Sequence, residues 1–173
     1  MNLKKILIIV LMTIFSQFSA LADTPHFLDF KLILNQSDAG KKAQNFLKNK
    51  LETGIKDINN KEKKIQNDEK KIIEQKKIIS AEEYRKKVSD LRARVKTLQK
   101  ERNNLLQSVA KQRSKARTEL LKNLNPIVKD YMKEKNIRMV VDKKNVLLAD
   151  ENLNITKEIM AILNKKLKTI SLN

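Results

Sequence analysis

The amino-acid sequence predicts an α+β fold that is predominantly α: a small β-containing association body carrying a long α-helical hairpin of coiled-coil type. Three observations carry that expectation. The 173 residues include only two glycines and two prolines, too few breakers for a sandwich, a barrel or a Gly-rich nucleotide loop. Apolar residues in the middle of the chain recur every seven positions, a helical period. The formal net charge of +18 is concentrated in that same stretch. Composition also excludes several kinds of chemistry. Without cysteine there is no disulfide, zinc-finger spacing or thiol catalysis, and a single histidine argues against a His-based triad or poly-His metal site. No catalytic residue, metal ligand or cofactor is therefore expected.

Taken in order, the chain begins with Lys4 and Lys5, an apolar run from Ile6 to Phe15, and the small-x-small sequence Ala20-Leu21-Ala22. This pattern predicts a secretory signal peptide over residues 1–22, cleaved before Asp23. The apolar run is too short to span a bilayer, which needs about 20 residues.

Gly40 and Pro126 punctuate the remainder. Residues 41–124 hold 25 Lys and Arg against 11 Asp and Glu, whereas 23–40 and 125–173 together hold 11 against 9. The charge belongs to the middle, which contains no proline and only Gly54 as a breaker. Leu51, Ile58, Ile65, Ile72 and Ile79 recur at sevens, but the positions between them are Gly54, Lys61, Asp68 and Gln75. So narrow an apolar stripe can touch one partner helix and cannot sit in a thick core. From Val88 the seam is fuller, with Leu91, Val95, Leu98, Leu105 and Val109, and Arg102 in the remaining slot. Ser80 and Glu83 have the spacing of a capping box, which marks a helix start. The pattern predicts a helix out to about Ile79, a reversal, and a return from Ser80, each arm about 60 Å long; the alternative is one continuous helix through Ser80.

Outside the arm, Leu28, Phe30 and Leu32 alternate with polar residues and predict a strand. Asn125-Pro126 predicts a fresh helix from Ile127 to about Lys135. A strand follows over 137–142, with Ile137, Met139 and Val141 on one face. A turn at 143–145 leads to its hairpin partner 146–149, which includes Val146 and Leu148. Ile155, Ile159, Ile162, Leu163 and Ile170 predict a closing amphipathic helix. These 67 residues fall below the roughly 70–80 at which one core suffices, and short strands leave open edges. Self-association would solve both problems.

The segments at either end of the arm carry a family resemblance. Asp29-Phe-Lys-Leu-Ile-Leu34-Asn-Gln-Ser37-Asp-Ala39-Gly40-Lys41-Lys-Ala43 resembles the strand-to-helix transition of the Skp (OmpH-like) periplasmic chaperones. Val140-Val-Asp142-Lys-Lys-Asn-Val146-Leu-Leu-Ala149-Asp150-Glu-Asn-Leu-Asn154-Ile-Thr156 resembles that family's C-terminal hairpin and last helix. The arm matches in character alone, and departs in its thin intervening positions and in Gly54. The resemblance implies a homotrimer with a central intersubunit β-barrel, from which three helical tentacles enclose a cavity. It implies an ATP-independent periplasmic holdase that keeps unfolded outer-membrane β-barrel proteins soluble in transit. Lipopolysaccharide or an anionic membrane surface is a further implied partner.

That role fits sparse Ile, Leu and Val set beside dense Lys and Arg. The candidate client-binding residues flank the expected tip: Lys70, Lys71, Ile72, Lys76, Lys77 and Ile79 before it, Tyr84, Arg85, Lys86 and Lys87 after it. Leu28, Phe30, Leu32, Ile137, Met139, Val141, Val146 and Leu148 are the candidate association surface. Two other readings compete. A structural coiled coil of the envelope, binding no client, would show the same periodicity. Nucleic-acid binding is the default for a basic helical protein, yet the arm has almost no aromatic stacking groups beyond Phe46 and Tyr84, and export removes the chain from DNA. Specific nucleic-acid recognition is therefore not expected. His26, close to the expected mature terminus, is read as a surface residue and not a catalyst.

Overall fold

Asp29 decides where the first strand stops. In the computed structural model, which describes residues 24–172, β1 (His26–Leu28) ends where the Asp29 carboxylate accepts the Leu32 N–H at 2.7 Å. That bond caps α1 (Phe30–Gln36), so Phe30 and Leu32 are helical and not strand residues. The three-residue alternation loses to a capping carboxylate and to Ile33, fully buried on the helical face. The expected signal peptide lies outside the described residues.

Ser37 ends α1 and begins α2 (Asp38–Gln75), its Oγ accepting the Gly40 N–H at 3.2 Å. Gly40 lies inside the first turn of α2, at a point of close approach. A Cβ there would collide with the backbone carbonyl of Leu34. Asp38 ties this corner to the end of the chain: its N–H donates to Asn164 Oδ1 at 2.8 Å, and its Oδ2 accepts Lys168 Nζ at 2.7 Å.

The chain reverses over residues 76–80, and α3 (Ala81–Glu134) starts on Ser80, whose Oγ accepts the Glu83 N–H at 3.2 Å. The continuous-helix alternative is thereby excluded. No new helix begins at Pro126, however; α3 runs straight through it. Leu120, Leu124 and Ile127 form one buried face across the proline, and burial of that face outweighs the missing N–H. The helix ends at Asn136, in the left-handed region at φ 54°, with the Ile137 N–H returning to the Met132 carbonyl at 2.8 Å.

Because Ile137 closes the helix, β2 is only Val140–Asp142, with Ile137 and Met139 outside it. β2 pairs with β1 in parallel, with Phe27 opposite Val141. The expected hairpin is absent from the described chain. Asp142 accepts the Lys144 N–H at 3.2 Å and starts a 3-10 turn over Lys143–Asn145, which carries Val146–Ala149 away from β2. Val146 is half-buried, while Leu147 and Leu148 are 95% and 91% exposed. The last helix, α4, spans Thr156–Lys166; Ile170 lies beyond it.

The main core joins α1, α3 and α4 through Ile33, Leu120, Leu124, Ile159 and Leu163, all at most 2% exposed. It therefore borrows the root of the arm, which relieves the small body of part of the deficit expected from its length. A second cluster between the arm roots holds Ala43, Leu47, Val109, Ala116 and Leu172.

Two outcomes follow from this corner. Gly40→Ala should lower stability by about 1–3 kcal/mol in urea unfolding, because the obstacle is backbone and cannot rotate away. Asp38 is held below the usual aspartate pKa, first by its hydrogen bond from Lys168 and then by the charges of Lys168, Lys42 and Lys41. Its contribution to stability is therefore complete above the ordinary aspartate pKa and is lost as pH falls through the lowered value. A carboxyl NMR titration should show that depressed midpoint, and Lys168→Ala should move it back up.

Candidate functional site

α2 and α3 pack antiparallel over their whole paired length, which sets every contact of the arm. Along α2, Ile58 and Ile65 are buried and Leu51 and Ile72 half-buried, while Ile79, half-buried, lies in the reversal beyond the helix. Val88, Leu91, Leu98 and Leu105 meet them half-buried, Val109 is buried, and Val95 stays half-exposed at 50%.

The intervening positions, thin by apolar criteria, are where the helices are tied. Lys61 Nζ reaches Glu101 Oε2 at 2.6 Å, Asp68 Oδ2 accepts Arg94 Nη1 at 2.7 Å, and Gln75 Oε1 accepts Lys87 Nζ at 2.9 Å. Arg102, in the slot between Leu98 and Leu105, reaches Glu62 at 3.3 Å. Nearer the root, Lys50 Nζ donates to both Ser108 Oγ and Gln112 Oε1 at 2.9 Å. Gly54 has its own partner: a Cβ there would lie 2.5 Å from a Leu105 methyl, so the glycine makes room for Leu105. Gly54 was visible in the sequence only as a departure. The signal for the ties was the reversal itself: Lys61 and Glu101, Asp68 and Arg94, and Gln75 and Lys87 lie equally far from Ala81 on its two sides.

The candidate basic residues surround the tip and do not converge on a pocket. Lys70, Lys71, Lys76, Lys77, Arg85 and Lys86 are exposed, whereas Lys87 is half-buried between Gln75 and Glu83, the latter at 3.4 Å. Tyr84 is half-buried with the Lys76 ammonium 5.8 Å from its ring centre. Of the apolar candidates, Ile72 on α2 and Ile79 in the reversal are half-buried. The exposed ones are their neighbours, Ile73 at 61% and Ile78 at 82%, which the sequence reading did not select. The doublet Ile72-Ile73 carried that information, because adjacent helical positions point about 100° apart and both cannot face one seam; Ile78 lies in the reversal itself.

At the opposite end, the candidate association residues divide. Leu28 is buried in the core and Phe30 lies 5.3 Å under the Arg117 guanidinium. Leu32 and Met139 are exposed, at 41% and 54%. Phe30, Val128, Met132, Met139 and Val141 line a groove of about 640 Å3 beside β2. Among the described residues no three His, Asp or Glu side chains are grouped to hold a metal ion, and no helix is long and apolar enough to cross a membrane.

A basic, cross-tied α-hairpin rooted in a small mixed body is a tentacle architecture. The chain belongs to the family described as outer membrane protein (OmpH-like), which it matches over residues 26–163. The crystal structure of a candidate outer membrane chaperone (OmpH-like) from Caulobacter crescentus CB15 superposes with a TM-score of 0.78 at 19% identity, covering 86% of this chain and 89% of that one. No curated protein sequence matches the chain.

The ties make a testable arm. An exposed ion pair contributes about 0.2–1 kcal/mol, so Asp68→Arg should barely move the urea midpoint. It should nonetheless accelerate amide exchange in residues 66–96, where it opposes Arg94, and leave the root unchanged. Adding Arg94→Asp should restore slow exchange.

Proposed function

We propose that the chain is an ATP-independent holdase of the periplasm, acting as a homotrimer whose arms surround unfolded outer-membrane β-barrel proteins and keep them from aggregating. Residues 1–22 would direct export and be removed before Asp23. The body of residues 23–40 and 125–173, with the arm roots, would associate copies; residues 41–124 would hold clients. Membership of the OmpH-like family supports a chaperone role, and the fold matches that of a candidate chaperone.

The observation that carries the reading is at the tip. Ile73 and Ile78 stand open to solvent among Lys70, Lys71, Lys76 and Lys77. A protein that needed only a rigid spacer would gain nothing from leaving such side chains uncovered. Burying one isoleucine contributes about 1.5–3 kcal/mol at most, so each contact is weak and breakable. Several such contacts within one cavity add up by local concentration without forming a rigid site. The excess positive charge attracts acidic chains at a distance, and salt screens that attraction within about 10 Å at 0.1 M. The same charge suits lipopolysaccharide or an anionic membrane surface as secondary partners.

The body supports association in the same terms. Two paired strands of three residues are not a stable sheet by themselves. Met139, just before β2, and Leu147 and Leu148, after the turn that follows it, are left uncovered, and neighbouring copies would bury them.

An unfolded outer-membrane barrel protein diluted from denaturant into the mature chain should scatter less light than in buffer. Ile73→Asp with Ile78→Asp should weaken that protection several-fold at unchanged helicity. Unaltered aggregation in the presence of the wild-type chain at low salt would sink the proposal. Native mass spectrometry should give three copies, and a folded monomer at all concentrations would remove the trimer from it.

A further inference from the structure

At the root of the arm a strand-like piece of the same chain packs between the two helices and walls one side of an open groove. After α4 the backbone leaves the helix extended, with Leu167 at φ −132° and ψ 109°. Over the following residues Ile170 is half-buried and Leu172 is buried, while Thr169 and Ser171 are exposed. This is the inside–outside alternation of an extended strand, presented to the side of a helix pair. Leu172 enters the cluster of Ala43, Leu47, Val109 and Ala116. Small residues create the space: Gly40, Ala43, Ala110 and Ala116 line the adjoining groove of about 430 Å3, in which Ile170 is one wall. The segment's backbone is gripped without regard to sequence, by Gln112 Nε2 donating to the Leu172 carbonyl at 3.0 Å. Gln112 is itself oriented by Lys50 at 2.9 Å.

We propose that this root groove is a binding site for an extended polypeptide segment with alternate apolar side chains, and that residues 168–172 occupy it as an internal competitor. A segment of this kind needs two features: apolar side chains two residues apart, and a backbone carbonyl free to accept the Gln112 amide. Any transmembrane β-strand of an unfolded barrel protein offers both, since its side chains alternate in the same way. In this the proposal rests on the holdase reading, though its test does not. The internal segment acts at a local concentration on the order of millimolar. It thus covers the groove when no client is present, and it yields only to segments that bind better or are presented repeatedly by one trapped chain. The apparent affinity for an outside segment is reduced by the fraction of time the groove is filled.

The test is fluorescence polarisation with a fluorescein-labelled peptide of residues 166–173. Its targets are the intact chain, the chain lacking residues 168–173, and the full-length Ile170→Ser, Leu172→Ser variant. The peptide should bind both altered proteins at least about tenfold tighter than the intact chain. An unlabelled peptide alternating threonine and valine should compete, and the same composition with the valines adjacent should not. Ala43→Leu in the shortened chain, which fills the vacated space, should abolish binding. Equal affinity for intact and altered proteins would overturn the proposal, as would binding that Ala43→Leu leaves untouched. If the shortened chain loses helicity by circular dichroism, the double serine variant decides. If that variant also loses helicity, the segment is part of the core and the proposal fails. Peptide binding without protection from aggregation would keep the groove and reject the holdase; protection without peptide binding would do the reverse.

Discussion

The antiparallel register between α2 and α3 is the constraint on which the rest of the molecule depends. It aligns Ile58 and Ile65 with the return helix, and places Lys61, between them, opposite Glu101 and Asp68, beyond Ile65, opposite Arg94. A seam with one apolar side chain per seven residues on α2 cannot hold two long helices by burial alone. The ties supply orientation more than energy, because exposed pairs are weak individually. Stability is consequently graded along the arm. At the root, Leu120 and Leu124 are locked into a core shared with α1 and α4. Toward the tip the apolar side chains, among them Ile72, Ile79, Tyr84 and Val88, are at best half-buried, and the polar ties are exposed or half-buried. Local opening is expected where buried apolar contacts are fewest, and here that is the end carrying Ile73 and Ile78.

The hairpin was legible in the sequence because its signals are local. Ser80 with Glu83, the sevenfold isoleucines and the scarcity of breakers each act within a few turns of one helix. The ties were not read, because a cross-helix pair has no signature in the periodicity of either helix alone. Lys61 and Asp68 look like defects in α2 until they are reflected through the reversal onto Glu101 and Arg94. Gly54 is the same case: it is a weak helix former when considered alone and the seat of Leu105 once the register is known. Pro126 failed for a different reason. Its local preference to begin a helix is real, but three buried side chains on either side of it belong to one continuous face.

The body was less legible, since its elements are too short for pattern to settle. Leu28, Phe30 and Leu32 alternate, but so few positions suit a strand or a helix, and the Asp29 carboxylate chooses the helix. Strand 137–142 shrank because Ile137 spends its N–H on the end of α3. Residues 146–149 read as a strand by composition, yet a strand needs an edge. Asp142 turns the chain away from the edge that β2 still offers. The parallel pairing of β1 with β2 could not come from a hairpin rule, because it joins segments separated by the whole arm.

Salt acts on this architecture in two opposing ways. The charges that would draw an acidic polypeptide toward the arm on the proposed reading are exposed, and so are most of the pairs that hold the two helices in register. Added salt would therefore weaken the proposed capture and loosen the tip together, over the same range of screening. Burial of Ile73, Ile78 or the root groove against a client responds differently, since apolar contact is not screened and strengthens in the presence of excluded salts. The proposed partition between steering and holding would rest on two kinds of residue set side by side, as in Lys70-Lys71-Ile72-Ile73 and Lys76-Lys77-Ile78-Ile79. On the proposed holdase reading, the lysines would set how quickly a chain arrives and the uncovered aliphatic side chains how long it stays.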